Sequence, residues 1–480
     1  MPSMSSLPPL VSGGLPGVGH ALAFYRNMPG LMWRGYREHG RVFAYRLFTQ
    51  RVAVVIGPEH HRTFFTQTDK TLDMAKPYAF IRAIFGDLAF LGSTEKYKAQ
   101  RPLIHLPFRR EKLARYLTIM QERVQVWLDS LPDEAEIELV SQIGRVVQDV
   151  AGYAFMGADF QERVGREFWD LYADLSAALD PFLPPHWPLP KFRRRDRAKA
   201  RMAAILRPMI AERRAHPERY DDFFQDFVTA RDRHGRPLDD DELISLILGI
   251  NFAGHETTTG QAAWTIIQLL QNPWYLELVQ EEIARHLPPG TPIDHQTMRA
   301  MPHINWAIRE TERMRPSAEM LMRYVMEETR FGDFVVPEGW LVQTAAVVAH
   351  FLPELFAEPF TYDPLRFAPG REEDKADRFA LIGFGGGIHK CAGMNFANQE
   401  MFVITALLFQ QFDVELLTPS PNVERGLGAS RPTPTWLRLR RKVNRDRASA
   451  GASGAIVPAG ESRMSKRATS TFKTVGRSIR

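Results

Sequence analysis

Three short stretches of this 480-residue chain carry residue types that do chemistry. FGGGIHKCAG, Phe384 to Gly393, holds the only cysteine, Cys391. AGHETTTG, Ala253 to Gly260, places an acid beside an alcohol, Glu256 and Thr257, within an apolar run. INWAIRETERMR sets Glu310 and Arg313 three residues apart. A thiol beside His389 and Lys390, just ahead of the helix-like MNFANQEMFV, is expected to shift towards thiolate. A thiolate attacks carbon, relays electrons or ligates iron. The nucleophile reading wants a base, and His389, two residues away in a tight loop, projects elsewhere. An iron ligand needs an exposed sulfur, room for a large flat group and N–H donors aimed at the sulfur. Glycines supply that room. A lone cysteine is otherwise most often a small buried hydrophobe.

HETTT is not a metalloprotease helix, because Thr259 stands where HExxH needs its second histidine. An acid next to a hydroxyl relays protons. Ala253 and Thr257, four apart, share one helix face, and Ala253 and Gly254 let something flat lie against it. Two glycines and several polar side chains inside a buried helix are costly, so a local helix distortion is expected there. Alone, Glu310 and Arg313 read as a surface ion pair worth a few tenths of a kcal/mol. Apolar neighbours Trp306, Ala307 and Ile308, and Pro316 ending the helix, favour a partly buried pair. The glycine run is neither GxGxxG nor a phosphate loop.

The elements that must position these residues are mostly helices. Apolar residues recur at helical spacing over Glu111–Leu131, Glu136–Met156 and Arg195–Ala215. Leu243 to Phe252 and Ala262 to Leu270 are apolar nearly all round, which predicts a helix crossing the interior. Alternation predicts strands around Val42–Ile56 and Tyr324–Val347, where FGDFVVPEGWLV reads as strand, turn, strand. Proline-rich Asp180–Phe192 reads as a loop before the basic run Arg193–Arg195. The fold class is mainly α with small β-sheets (α+β).

An apolar fraction of 44% supports a sizeable core. One cysteine excludes an internal disulfide and a multi-cysteine zinc site, and fits a reducing compartment. No transmembrane span or secretory signal is visible, so a cytoplasmic protein, soluble or weakly peripheral, is expected. Of the net charge of +5, residues 443–480 carry eight Lys/Arg and two acids, so the body is near −1. The high pI reports the tail, and no nucleic-acid partner is expected. The chain divides into a body, 1–442, and a basic tail, 443–480, expected to be disordered, with at most weak attraction to an anionic surface.

FxxGxxxCxG before a helix, ExxR about 80 residues earlier and AGxET in a buried helix earlier still resemble the cytochrome P-450 haem-thiolate monooxygenases. YDPLRF adds Arg366, and GSTEKYKAQR resembles the family's WxxxR segment with Tyr97 for tryptophan and Arg101 kept. The resemblance spans about Pro8 to Arg440. It implies a triangular helical body with haem b between the long central helix and the Cys-loop helix. Cys391 then corresponds to the axial iron ligand. Tyr78, Arg101, Arg323 and His389 match positions that hold the propionates, and Phe384, Gly385 and Ala253 line the haem. Glu256 and Thr257 manage protons. Glu310, Arg313 and Arg366 keep the proximal side rigid. Phe80, Phe85, Phe252, Met322 and Trp436 match the apolar substrate pocket. Electrons are expected from a ferredoxin, flavodoxin-type or reductase partner, for which the surface near Lys390 suits an acidic protein; O2 is the expected co-substrate, and a monomer is expected. PPLVSGGLPGVGH, AKPYAFIRAIFG and REEDK look like the sterol 14α-demethylases. That family carries histidine where this chain has Glu256, which opens the question of substrate: steroid or terpenoid, or fatty acid. A haem-binding sensor without catalysis is the reading from another class.

Overall fold

The computed structural model describes residues 6–442 except Asp87, Pro181, Phe182, Leu427 and Gly428; the expectation of a disordered tail lies outside the described residues. The central helix, Asp240–Gln271, organises the body. Asp239 caps it through the Glu242 N–H, Glu242 reaches back in a capping box, and three acids fill the first turn. At 1.5 Å per residue its 32 residues span about 48 Å, enough to cross the molecule. Leu243, Leu248, Ala262, Ile266 and Ile267 are fully buried along it. Pro273 opens the next helix and closes this one.

The expected distortion at AGHETTTG is absent: the helix runs unbroken through it. The polar side chains are absorbed by the helix itself. Thr257 Oγ1 donates to the Ala253 carbonyl at 2.6 Å, and Asn251 and Thr265 donate to the carbonyls of Ile247 and Gln261. Gly260 serves packing, since a Cβ there would stand 2.7 Å from the Ser430 carbonyl oxygen.

Strand forms at Val42–Ile56 as expected, and β1 (Val42–Leu47) and β2 (Gln50–Val55) pair there as an antiparallel hairpin. With β3 (Leu72–Asp73), β5 (Met322–Val325) and β8 (Leu341–Thr344) they build a five-stranded sheet ordered β1-β2-β8-β5-β3. Strand β4 (Glu134–Glu138) joins β12 (Trp436–Arg441) and β9 (Phe412–Leu416). Strands β10 (Val423–Arg425) and β11 (Ser430–Pro432) form a hairpin. FGDFVVPEGWLV gives strand, turn, strand as expected, with Phe334–Val336 and Leu341–Thr344 on either side of the turn, but these two strands do not pair with each other. A tight turn at Gly332-Asp333 joins β6 (Thr329–Phe331) to β7 (Phe334–Val336), while the next strand, β8, pairs with β5 and β2. Positive φ at Gly332 makes that turn. Glu136–Met156 also divides, into β4, the helix Leu139–Ala151 and a wider turn over Gly152–Met156. A helix begins at Pro190 rather than after the expected loop, because proline lacks only an N–H that the first turn leaves unused.

Two buried histidines make stability depend on pH. His350 receives the Ile382 N–H at Nε2 (3.0 Å) and its Nδ1 faces the Arg313 carbonyl (3.1 Å), so it is bridged as the neutral ring. Burial lowers His350 to about 3 and His61 to about 4. Both stay neutral in the fold while the unfolded chain takes up protons below about 6.5. Stability is therefore full above that pH and falls as pH drops towards 4, by roughly 2 kcal/mol apiece at pH 5. Denaturant midpoints at pH 7 and pH 5 measure this, and His350→Gln is expected to flatten the slope.

Candidate functional site

The Cys391 loop hangs between the helix Pro58–Gln67 and the helix Met394–Gln411. Cys391 N–H closes the loop on the Phe384 carbonyl at 3.0 Å. Gly385 (φ 70°) and Gly387 (φ 65°) take left-handed conformations that favour glycine. Gly386 and Gly387 also face Phe65: an added Cβ would meet its ring or its carbonyl oxygen at 2.8 Å. The room expected for a flat cofactor is thus partly room for Phe65.

Cys391 has accessible surface, yet the protein around it desolvates the thiol. Burial raises its pKa, opposed by the N–H groups of Gly393 and Met394 and by Lys390, and reinforced by Glu312. The expected shift towards thiolate is therefore reversed in the protein alone, because desolvation outweighs two N–H dipoles and one exposed lysine. Glu312, whose carboxyl accepts from Gly383 and Phe384 N–H, is raised to about 7, first by burial. The ExxR pattern, which counts only its first and last residues, did not single it out.

Cations gather round the same loop. Arg101 Nε and the Tyr97 hydroxyl both donate to the Ile388 carbonyl at 2.9 Å. Tyr97 stacks on His389 with ring centroids 4.1 Å apart. His389 Nε2 lies 2.7 Å from Asp69 Oδ2, a partner the sequence reading missed, so that nitrogen is already engaged. Arg323 is 2% exposed and donates from Nε to Thr68 Oγ1 and from Nη1 to the Met322 carbonyl. Tyr78 accepts the Met322 N–H at 3.1 Å. Neither Arg101 nor Arg323 has a carboxylate within ion-pair distance among the described residues.

Glu310, Arg313 and Arg366 are all 0% exposed, so the surface-pair alternative fails. Arg313 grips Glu310 with two bonds of 2.8 Å, and Arg366 Nε reaches the same carboxylate at 3.1 Å. Arg366 also pairs with Glu373. Arg313 Nη1 donates to the carbonyls of His350 and Pro359. Two guanidiniums thus share Glu310, and Glu373 balances the second.

On the central helix Ala253 is exposed and Thr257 half-buried. The Thr257 carbonyl accepts from Ser317 Oγ at 3.0 Å. Glu256 Oε2 receives Arg431 Nη1 at 3.3 Å, and Oε1 lies 3.6 Å from His255 Nδ1. His255 first, with Arg431, holds the Glu256 carboxyl below its usual value against the effect of burial. Phe85 and Phe252 meet with centroids 4.6 Å apart. Phe80 and Met322 are half-buried. Trp436 does not join them: it opens β12, 48% exposed, with its Cα opposite Glu138 of β4, a correction to its place in the apolar pocket.

A buried guanidinium without an anion is unstable by itself, and so is incomplete. The Cys391 loop offers an accessible sulfur with backbone N–H groups on it. Together they make half of a receptor for an acidic, sulfur-ligated cofactor, and haem with its two propionates fits that donor set. The class is that of haem-thiolate proteins. Residues 8–437 match the family model for cytochrome P-450, and the chain belongs to that family of haem-binding monooxygenases. It is 27% identical to a sterol 14α-demethylase of Mycolicibacterium vanbaalenii over 91% of this chain and 98% of that one. It is 30% identical to an obtusifoliol 14-alpha demethylase of Triticum aestivum, over 86% of this chain and 94% of that one. Cyanobacterial CYP120A1 with retinoic acid bound superposes with a TM-score of 0.80 at 29% identity, covering 91% of this chain and 99% of that one. No described helix is long and apolar enough to cross a membrane.

Proposed function

We propose that Cys391 would ligate the iron of haem b and that the enzyme hydroxylates a steroid- or terpenoid-like molecule, with oxidative demethylation as the specific case. The observation that carries the cofactor assignment is the buried Arg323, without an anion among the described residues, together with the accessible Cys391 sulfur. Bound haem supplies activation of O2 and insertion of one oxygen atom. The chain's own residues do the rest. Arg323 and Arg101 bind the propionates as guanidiniums, and Tyr78 orients the strand that carries Arg323. His389 serves through the Nδ1 that Asp69 leaves open. Gly393 and Met394 N–H groups donate to the sulfur and would help hold it as thiolate against a bound cation. Phe384, Gly385 and Ala253 line the cofactor. Thr257 holds a proton at its hydroxyl and Glu256 replenishes it. Phe85, Phe252, Phe80 and Met322 exclude water and present apolar surface to substrate. Electrons come from a separate donor, a ferredoxin, flavodoxin-type protein or reductase docking near exposed Lys390.

Two observations support the substrate class. Relatives named for sterol demethylation match nearly their whole length, and the structural neighbour holds retinoic acid, a terpenoid. Glu256 in the histidine position of sterol demethylases weighs against the sterol reaction itself. Spectral titration of the purified holoprotein with lanosterol, retinoic acid and palmitic acid tests the reading. A shift to the high-spin form at micromolar sterol or retinoid is expected. Binding of palmitate with neither of the others moves the enzyme to the fatty-acid hydroxylases.

A further inference from the structure

Glu256 has a second neighbour that its ion pair with Arg431 does not explain. Both ring nitrogens of His255 are buried and neither makes a hydrogen bond to protein. The ring sits against Trp169 and edge-on to Tyr172, each with centroids 6.2 Å away, on the helix Arg166–Ser176. Across from it is Gly144 of the helix Leu139–Ala151, where an added Cβ would stand 3.6 Å from His255 Nε2 and 3.9 Å from Thr259 Oγ1. Thr259 Oγ1 is likewise buried without a hydrogen-bond partner, and Tyr172 Oη and Ser176 Oγ are buried with only each other nearby. Five buried polar atoms on four side chains therefore lack full hydrogen bonding where three helices pack. The other alcohols of this stretch behave differently: Thr257 and Thr265 each donate to the carbonyl four residues back.

Buried polar groups are paired, and where protein offers no partner an ordered water does so. We propose that this cluster holds ordered water and is the path by which protons reach Glu256, with His255 as the last protein group before it. The chemistry of the alternative side excludes it. Arg431 occupies Oε2 with a guanidinium that does not give up its proton. Oε1 faces His255 Nδ1 at 3.6 Å, a gap that a small rotation closes. Imidazole passes a proton with balance: Nδ1–H goes to Oε1 as Nε2 takes one from water, and once Glu256 has passed its proton on, Nε2–H returns a proton to water while a second water protonates Nδ1. Tyr172, Ser176 and Thr259 hold the water in line. They act as positioning residues, touching neither substrate nor cofactor.

This inference rests on the reading of Glu256 and Thr257 as the proton-delivering pair, and the test separates the two. A high-resolution crystal structure of the holoprotein is expected to show ordered water within hydrogen-bond distance of His255, Thr259 and Tyr172. With substrate and electron donor, His255→Phe is expected to cut the share of reducing equivalents recovered as product by about tenfold, the remainder appearing as peroxide. Tyr172→Phe and Thr259→Val, which remove one hydroxyl each, are expected to lower it severalfold and to enlarge the solvent deuterium effect, a change that loss of packing alone does not produce. A dry cluster overturns the proposal. So does normal coupling in all three variants while Glu256→Gln is uncoupled. Normal coupling in Glu256→Gln instead overturns the acid–alcohol reading itself, and this path with it.

Discussion

Cys391→Ala is expected to abolish the long-wavelength Soret band of the reduced carbon monoxide complex and to reduce monooxygenase turnover to background. The argument is one of supply. Cys391 is the only cysteine in the chain, so no second thiol stands in. The described residues also hold no cluster of three or more His, Cys, Asp or Glu placed to bind a metal ion. His389, two residues away, is engaged with Asp69 at 2.7 Å and stacked under Tyr97, so it is not free to swing onto iron. The electron push that favours O–O cleavage belongs to sulfur, so even a variant that keeps haem by its propionates loses the chemistry. Absorbance of the reduced, carbon monoxide-treated variant beside the parent measures it. A thiolate-type band persisting in Cys391→Ala would place the ligand elsewhere. Because burial opposes the thiolate in the protein alone, labelling of Cys391 by a thiol reagent in haem-free protein is expected to be slow at pH 7 and to accelerate as pH rises.

Glu310→Gln carries the second large effect. It leaves two guanidiniums, Arg313 and Arg366, sharing a neutral amide in an environment with no exposure. Breaking a buried pair by removing one partner costs about 3–5 kcal/mol, a large part of the 5–15 kcal/mol by which domains are folded. The loss does not stay local. Arg313 donates to the His350 carbonyl, and His350 receives the Ile382 N–H just ahead of the Cys391 loop. Low yield, a denaturant midpoint far below the parent and a reduced ratio of haem to protein are expected together. Arg313→Lys is expected to fail nearly as badly, because an ammonium cannot reproduce the two parallel bonds to Glu310 and the reach to His350 and Pro359. A Glu310→Gln protein with parental midpoint and full haem would mean that the network contributes rigidity without stability.

The sequence by itself determined the class of protein, because the Cys391 loop, the acid–alcohol pair and the Glu–Arg pair are each local patterns with a fixed order. It also determined that a helix crosses the interior, since an all-round apolar run has no other place to go. Strand at Val42–Ile56 was legible from alternation, and its folding back into the β1–β2 hairpin came from the structure. What only the tertiary structure decided are relations between residues far apart in sequence. Glu256 meets Arg431 across 175 positions, and Glu310 receives Arg366 across 56. Gly386 answers to Phe65 as well as to a cofactor, and Trp436, apolar in type, faces outward on its strand. Burial settled the rest: it turned the Glu310–Arg313 pair from a surface contact into a lock, and it reversed the shift expected of the Cys391 thiol. Desolvation is a property of everything packed around a group, and no window of neighbouring residues contains it.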